Sequence, residues 1–382
     1  MKNVDQPPVL QPHQGTILGQ HYLPSTPATV SWGWLPNRDS KAVLSIASGE
    51  SVTFDTVSHE GILEEQGGDP VEFFGRFGVA PDLVMRDAID IAKDRVGHQP
   101  ADGPHVVTGP VEVRGAEPGD LLRVEVLDLA RRAHYGIVSS RHGYGALPGE
   151  MPELDNASVS SVSSVSDPSV PSAEATVNVF CEVERSSDDT GMGRIGFGDG
   201  RAARFPLAPF LGLMGVAVDF PDRPHSVPPG GHGGNLDVNL LGCGSVLYLP
   251  VQVPGALFYG GDPHFAQGDG EVALTAFEAP LRATLRLEVL TGAGAREAAG
   301  GLSEPFAETD RHWIVIGLHE DLNEAMRRCV RSAVAFLASK VGMERNIAYA
   351  YLSAAADFEV SQVVDVVKGV HCVIRKSDFG LP

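Results

Sequence analysis

The chain has 382 residues, a formal net charge of −20 and a mean hydropathy of −0.02. That length can bury a large core, in one big domain or in two closely fused ones. So acidic a surface repels phosphate backbones and anionic lipid, which argues against nucleic acid and membranes as partners. Four scattered cysteines without a Cys-x-x-Cys pair, no signal-like N-terminus and no long apolar run together predict a cytoplasmic protein without a disulfide framework.

The N-terminal third begins with a polar, proline-rich stretch, residues 1–30, which we predict to be a loose arm ahead of a single domain over residues 31–382. Residues 42–57 predict two strands around a Ser-Gly-Glu turn, since apolar residues alternate in the second of them. Residues 69–95 change to helical spacing and predict one short helix. Residues 111–129 return to the β pattern around a Gly-Asp turn and predict a hairpin.

The middle of the chain starts with its least regular region, residues 134–175, which we predict to be an irregular insertion. It contains a low-complexity Ser/Val tract at 157–164, for which a surface insertion is favoured over an edge strand. Strands are expected to resume at 176–184 and to return at 246–253 and 271–290, the last interrupted by a proline.

The C-terminal part carries the clearest helix, residues 320–341, followed by a shorter helical stretch at 346–355 and strands at 361–367 and 370–375. The long helix places one apolar stripe along its length, formed by Leu322, Met326, Val330, Val334, Leu337 and Val341. The abundance of Gly (44) and Pro (28) favours many short strands elsewhere. We therefore predict an α+β fold rich in β-structure, with sandwiched sheets and one or two covering helices near the C-terminus.

The densest polar cluster lies at residues 260–271, between two predicted strands. If Asp262 and His264 are extended, both side chains point the same way, because side-chain direction repeats every two residues. A carboxylate and an imidazole that converge suit a borderline divalent ion such as zinc. Glycines ahead of Glu271 would let the backbone turn it towards the same cavity. The alternative is a polar hairpin loop with solvated carboxylates, or a weak calcium site.

A second polar loop at residues 228–237 holds His232, Asn235 and Asp237 among glycines and prolines. Four glycines around one histidine indicate a backbone kept clear of a ligand, and Asn235 and Asp237, two residues apart, can face one side. The alternative is a turn-rich connector whose Asn and Asp side chains bond to their own backbone. Two such loops, each leading into a strand, are more simply explained by one shared site.

A third candidate is His59, next to Glu60. Neighbouring residues of an extended segment face opposite ways, so at most one of the two is expected to be a ligand. Motifs of covalent hydrolases are missing from the sequence, including Gly-x-Ser-x-Gly and Ser-x-x-Lys. Among the cysteines only Cys243 falls in a predicted loop, which makes it the candidate for a covalent nucleophile. A metal-activated water is the other route by which these residues could support hydrolysis.

At the two polar loops the chain resembles the acetamidase/formamidase family. Residues 228–237 are similar to the family's PPG-x-HGGN-x-D stretch, and residues 262–271 to its D-x-H-x-x-QGDGE stretch. Supporting similarities follow in the same order at 108–111, 115–120, 247–251 and 360–365. The resemblance implies a β/α/β-type sandwich, often oligomeric, that binds a divalent metal and hydrolyses short amides to acid and ammonia. A homo-oligomer with a small-molecule amide substrate is therefore expected.

On this basis we expect Asp237, Asp262 and His264 to hold a divalent ion, zinc first and calcium second, with His59 as a fourth ligand. The catalytic candidates are Glu271, Asn235 and His232. Glu271 would move the proton, and Asn235 or the glycine amides beside His232 would stabilise the oxyanion. Base and ligand roles can be interchanged at this stage.

Two rival functions stay open from the sequence. One is a non-catalytic β-sandwich that binds calcium and a small ligand, and the other is an amidase that uses Cys243 as a covalent nucleophile. The chain also departs from the family pattern at residues 58–61 and 271–278, close to the expected site. Together with a glycine-rich loop at 143–149 that could act as a lid, these changes predict a substrate larger than formamide.

Overall fold

Three β-sheets form the framework of the computed structural model, which describes residues 8–94, 98–99, 101–153, 175–184 and 191–380. The predicted α+β class, rich in β-structure, is confirmed. In chain order the strands are β1 (His21–Leu23), β2 (Val30–Trp32), β3 (Leu44–Ala47), β4 (Ser51–Asp55), β5 (Val106–Arg114), β6 (Leu121–Arg131), β7 (Tyr135–Arg141), β8 (Thr176–Glu184), β9 (Met192–Gly196), β10 (Ala202–Pro206), β11 (Phe210–Gly215), β12 (Gly233–Asn235), β13 (Val246–Pro250), β14 (Phe258–His264), β15 (Leu281–Leu290), β16 (Phe306–Glu308), β17 (His312–His319), β18 (Asp357–Gln362) and β19 (Lys368–Arg375). The α-helices are α1 (Pro70–Gly75), α2 (Arg86–Lys93), α3 (Gly292–Ala299), α4 (Leu322–Lys340) and α5 (Arg345–Ala355).

The largest sheet has nine strands in the order β1-β4-β15-β6-β13-β16-β17-β19-β18, and only its β1–β4 pair is parallel. A six-stranded sheet runs β12-β11-β14-β5-β2, with β3 added in parallel to β5. A four-stranded sheet runs β10-β9-β8-β7. None of the helices in the part of the chain described is long and apolar enough to cross a membrane.

The main core lies between the nine-stranded and the six-stranded sheets. Alternate apolar side chains of each sheet point into this layer, as expected for strands with one buried face. The nine-stranded sheet contributes Val52, Phe54, Leu122, Val124, Val126, Leu247, Leu249, Leu281, Leu285 and Leu287, and the six-stranded sheet Ile46, Val111, Val113, Leu211, Met214 and Phe258. The two sheets therefore form the predicted sandwich.

The predicted hairpin at residues 111–129 is wrong, although both of its strands exist. Strand β5 pairs with β14, β2 and β3, whereas β6 pairs with β15 and β13 in the other sheet. The turn between them takes the chain from one sheet to the other, so that Val111 and Val124 pack into the same core from opposite sheets. Strands β3 and β4, predicted within residues 42–57, are likewise divided between the two sheets.

The predicted C-terminal helices are confirmed as α4 and α5, which cover β17 and β19. Helix α4 begins where Asp321 accepts a hydrogen bond of 2.9 Å from the amide of Glu324. Its buried face agrees with the predicted stripe at Val334 and Leu337, but small residues such as Ala325 and Cys329 also lie against the sheet. Leu322 of the stripe is exposed. The reason is that the helix packs closely over Gly317 of β17.

The N-terminal segment differs from the loose arm predicted for residues 1–30. Its described part, residues 8–30, includes β1, which pairs with β4, and β2, which pairs with β5. Ser25 is fully buried and bonds to the carbonyl of Asp55 and the hydroxyl of Thr108. These polar contacts hold the segment across both sheets. The single domain over residues 31–382 stays a prediction.

Other local differences concern the middle of the chain. Residues 69–95 form two short helices, α1 and α2, instead of one. Strand β7 occupies the start of the region predicted as an irregular insertion, 134–175, and pairs with β8, while the Ser/Val tract at 157–164 lies outside the described residues. The strand predicted at 271–290 begins only at Leu281, because residues 271–280 form a loop that turns acidic side chains inwards.

Candidate active site

A cavity of about 350 Å³ lies where the ends of several strands meet. Its polar residues follow β4, precede β5, lie on β7, β12 and β14 or come from the loops after β14 and β18. The polar part of the lining includes His59, His105, Arg141, Asn235, Asp262, Glu271, Glu278 and Asp365. The apolar part includes Leu63, Tyr144, Leu274, Val364 and Val366. A largely apolar cavity with a few converging polar groups is the usual form of a small-molecule site.

The end of β14 supplies Asp262 and His264, both buried. His264 Nε2 lies 3.0 Å from Asp262 Oδ2 and 2.9 Å from Glu278 Oε1. The extended backbone expected at this point is interrupted, since Asp262 has φ = 50°. The two side chains nevertheless converge, and the loop residue Glu278 joins them.

Asp237 and Glu271 approach His264 from two other segments, and one ligand atom of each of the three lies within 4.8 Å of the others. Both carboxylate residues have left-handed backbone conformations, with φ of 48° and 46°. For residues other than glycine such conformations cost of order 1–3 kcal/mol each and concentrate at functional sites. Together with Asp262, three carboxylate residues of the site therefore have backbone conformations that a regular strand does not adopt.

Two further histidines complete the other side of Asp262. His59 Nδ1 lies 3.6 Å and His105 Nε2 3.9 Å from Asp262 Oδ1. His105 is fixed by a bond of 2.9 Å between its Nδ1 and Ser226 Oγ, and His59 Nε2 lies 3.2 Å from Glu60. Asp262 thus stands between two groups of candidate ligands.

Gly212 of β11 forms the base of this cluster. A Cβ atom added at this position would come within 3.0 Å of Asp237 Oδ1, Asp262 Oδ2 and His264 Cε1. The carbonyl of Gly212 also accepts a hydrogen bond of 3.1 Å from the amide of Asp237. The missing side chain leaves a small space that is bounded by acidic and imidazole groups.

The cluster brings several buried carboxylates close to one another, and this raises their pKa values. Burial and the charge of Asp365 raise the pKa of Glu271 well above its usual value. Burial and the charge of Glu271 do the same to the pKa of Asp237, and burial raises the pKa of Asp365 to about 7. These carboxylates repel one another in a medium where charge is poorly solvated, so a bound cation would relieve them.

The pKa values of the three histidines shift in different directions, downwards for His105 and upwards for His59 and His264. Burial lowers the pKa of His105 to about 4. For His59, burial alone would lower the pKa, but the neighbouring carboxylates of Asp262 and Glu60 outweigh it and raise the pKa to about 10. Burial likewise acts against the charge of His264, yet Glu278 and Asp262 raise its pKa well above the usual value.

Several buried polar atoms of the cluster have no hydrogen-bond partner in the protein. They are both carboxylate oxygens of Asp237, Asp262 Oδ1, Glu278 Oε2, His264 Nδ1 and Nε2, His59 Nδ1 and Asn235 Oδ1. Native proteins rarely leave such atoms unsatisfied, and each calls for a ligand, ion or water. Nitrogen and carboxylate donors around the space above Gly212 fit a divalent cation of the zinc type.

The predicted site residues are brought together with one exception. Asp237, Asp262, His264, Glu271, Asn235 and His59 surround the cavity or its cluster. His232 is absent from the cavity lining of the described chain. Its half-buried imidazole lies beside Gly230 and Gly234, and burial lowers its pKa to about 4. These two glycines therefore make room for His232 itself.

The structure offers no support for Cys243 as a nucleophile. Its thiol bonds to the carbonyl of Leu127, 3.2 Å away, and the residue is not part of the cavity lining in the described ranges. Burial raises the pKa of the thiol, whereas an activated cysteine needs a lowered one.

Four polar residues of the cavity lining were not among the predicted ligands or catalytic groups: His105, Arg141, Glu278 and Asp365. Asp365 ends a segment that resembles the family, residues 360–365, and Glu278 ends the segment compared with the family at 271–278. For these two residues, their place in the segments compared with the family was the signal in the sequence that could have identified them. His105 precedes a buried strand, and nothing in its local sequence separates it from an ordinary core histidine.

Comparisons with known proteins agree with this geometry. A family model described as the Acetamidase/Formamidase family matches residues 85–221 and 222–375, which include every cluster residue except His59. The chain belongs to the acetamidase/formamidase family. The match covers well over half of the chain and confirms the resemblance of the two polar loops.

Individual members of the acetamidase/formamidase family are similar at moderate identity. An acetamidase from Mycolicibacterium smegmatis is 30% identical over 205 residues, which cover 44% of this chain and 49% of that protein. A formamidase from Methylophilus methylotrophus is 30% identical over 191 residues, 44% of this chain and 47% of that protein. The chain thus spans about half the length of the curated relatives it matches. The crystal structure of an acetamidase from Bacillus halodurans superposes with a TM-score of 0.67 at 25% identity, covering 94% of this chain and 98% of that one.

Proposed function

We propose that this family member is a metal-dependent hydrolase that cleaves the carboxamide C–N bond of a small amide to a carboxylic acid and ammonia or an amine. The observation that carries the proposal is the convergence of Asp237, Asp262, His264 and Glu271 over Gly212, at the wall of a cavity. The names of the similar proteins, acetamidase and formamidase, support the same reaction class.

Asp237, Asp262 and His264 would hold the metal, with His59 completing the set from the far side of Asp262. Imidazole donors favour zinc over calcium, which prefers oxygen ligands alone. A divalent ion bound there would polarise the amide carbonyl and make a water acidic enough to be deprotonated near neutral pH.

Glu271 is placed to move the proton. The residue lines the cavity beside Asp237 and His264, and burial and the charge of Asp365 raise its pKa, which favours the uptake of a proton from the attacking water. It would take the proton of the attacking water and deliver it to the amide nitrogen as the C–N bond breaks. Asn235, whose side chain faces the same cavity, would donate a hydrogen bond to the carbonyl oxygen as it becomes negative.

The decisive experiment separates metal binding from proton transfer. Asp262→Ala is expected to lose bound metal and activity together, whereas Glu271→Gln should keep the metal and lose about 10²–10⁴-fold in kcat. Metal content and amide hydrolysis are measured on the same preparations. Glu297→Gln, an exposed change of the same type on α3, is the matched control and should behave as the wild type.

Two outcomes would count against the assignment. If Glu271→Gln arrives metal-free, Glu271 is a ligand and another group is the base. If protein verified to be metal-free hydrolyses amides at the full rate, the metal-dependent mechanism is wrong.

We also propose a cytoplasmic homo-oligomer. Support for the location comes from cysteines that are unpaired in the described chain, which suits a reducing compartment. The family resemblance supports the assembly. Light scattering coupled to gel filtration measures the mass, and a monomer at micromolar concentration would contradict the oligomer. Fractionation of cells that express the chain tests the compartment, and recovery outside the cytoplasm would contradict it.

A further inference from the structure

A second group of potential ligands lies outside the cavity, where the loop after β14 meets β18 and β19. One ligand atom each of Asp269, Glu359 and His371 lies within 4.8 Å of the others. Glu359 and His371 are direct cross-strand partners of β18 and β19. Neither carboxylate has a Lys or Arg ion-pair partner within the described ranges, and Asp269 accepts a hydrogen bond of 3.0 Å from the side-chain amide of Asn239.

His371 is fully buried and its Nε2 atom has no hydrogen-bond partner. The atom lies 3.2 Å from Glu359 Oε2, but not in the direction that an N–H donor would need. On the other side of the ring, Nδ1 is 2.9 Å from the hydroxyl of Ser361. If Nδ1 carries the proton and donates it to that hydroxyl, Nε2 presents a bare lone pair to the two carboxylates.

This arrangement matches a metal site better than a catalytic one. Histidines that bind metals usually donate their other ring N–H to a protein acceptor, as Ser361 allows here. A serine nucleophile is excluded because Ser361 is completely buried. A buried imidazole nitrogen with two carboxylates, which are partly exposed and leave room for water, suits a zinc-type ion.

We propose that Asp269, Glu359 and His371 bind a second divalent cation that fixes the loop at residues 267–271 to β18. Backbone contacts already join the two: the amide of Gly270 donates to Ser361 (3.1 Å) and that of Val363 to Gly270 (3.2 Å). A cation on Asp269 would add a side-chain link to this contact. Asp269 lies two residues before Glu271, so a cation bound there would also affect the position of the proposed catalytic base. That effect rests on the proposed function, whereas the binding of the ion does not.

The test counts zinc ions bound by the full chain. Metal-free protein is dialysed against buffered zinc, and bound metal is measured as zinc per chain. Glu359→Gln and Asp269→Asn are each expected to weaken one equivalent by at least about tenfold relative to the wild type. Asp357→Asn, an exposed carboxylate on the same strand and not part of the cluster, is the matched control. Wild-type stoichiometry and affinity in both cluster variants would overturn the proposal.

Two further measurements keep this site distinct from the cavity. In Asp262→Ala the same equivalent should remain bound, because its ligands do not line the cavity; its loss there would contradict the proposal. Hydrogen exchange of the Gly270 amide should accelerate in Glu359→Gln, and unchanged protection would show that the ion does not fix the loop. Failure of the proposed function would appear instead as hydrolysis without metal in the cavity.

Discussion

At the scale of single residues, the site depends on the lack of a side chain at Gly212. Gly212 leaves the space towards which Asp237, Asp262 and His264 point, and two of these residues, with Glu271, have left-handed backbones. The surrounding fold must therefore compensate for strain and for carboxylates held close together. Such compensation is typical of sites where a ligand supplies the missing favourable interaction.

Gly212→Ala tests that dependence directly. The added methyl group would occupy the space between the three candidate ligands, so we expect loss of bound metal and of hydrolysis with the fold retained. Gly196→Ala on β9 is the control, because a Cβ there meets nothing within 4 Å. Metal content, activity and circular dichroism of the two variants are compared. Wild-type metal content in Gly212→Ala would show that the ion lies elsewhere.

The same residues show what the sequence could predict of the site. Within each polar loop, Asp262 with His264 and Asn235 with Asp237 are close in sequence, and local spacing suffices to group them. Asp365 lies about a hundred residues further on and reaches the cavity only because β18 pairs beside the loop at Gly270. Such pairing depends on tertiary structure, which spacing along one chain does not contain.

At the scale of elements, strands and helices were predictable where apolar periodicity is strong, but their partners were not. Strands β5 and β6 follow one another across a short turn, yet each finds its neighbours in a different sheet. Both strands are buried on more than one side, so tertiary packing overrides the local hairpin preference. Helix α4 shows the same effect, since Ala325 and Cys329 are buried against the sheet while the larger Leu322 is exposed.

The contact between α4 and β17 makes a stability prediction. A Cβ at Gly317 would come within 3.0 Å of the backbone of Ala325 and Cys329, and a helix backbone can yield little. Gly317→Ala should therefore lower the free energy of unfolding by about 1–3 kcal/mol. Denaturant unfolding measures it, with Gly196→Ala again as the control. Equal midpoints for the two variants would mean that α4 shifts without cost.

The loop at residues 142–153 leads to a prediction about substrate size. It contacts the site through the amide of Ala146, which bonds to Val272 at 2.9 Å, and Tyr144 lines the cavity. An apolar wall around about 350 Å³ far exceeds the needs of formamide. Between amides that differ by one methylene we expect kcat/KM to rise by up to about 10–200-fold before the cavity is filled. The assay compares formamide, acetamide, propionamide and larger amides, and a maximum at formamide would refute the idea.

At the scale of the whole molecule, the excess of acidic residues that gives the net charge of −20 includes acidic residues at buried positions. Buried carboxylates with raised pKa values surround the cavity, and their repulsion opposes folding unless a cation is bound. An ion that binds only the folded state should stabilise it by about 4 kcal/mol at a thousand times its dissociation constant.

Metal removal is therefore expected to lower the melting temperature, and zinc to restore it in proportion to the logarithm of its concentration. The protein is dialysed against a strong chelator, verified to be metal-free and scanned by calorimetry over a series of zinc concentrations. Asp262→Ala should respond less than the wild type. Identical scans with and without zinc would contradict a cation in this cluster.

The wide spread of the site along the chain has a consequence for biosynthesis. Its side chains come from segments between His59 and Asp365, so the cavity has no complete wall until the last of these segments has left the ribosome. Domains rich in such distant contacts fold slowly and expose apolar strands meanwhile. A product released before β18 would keep Asp237, Asp262 and His264 but would lack Asp365, and the wall of the cavity would be incomplete.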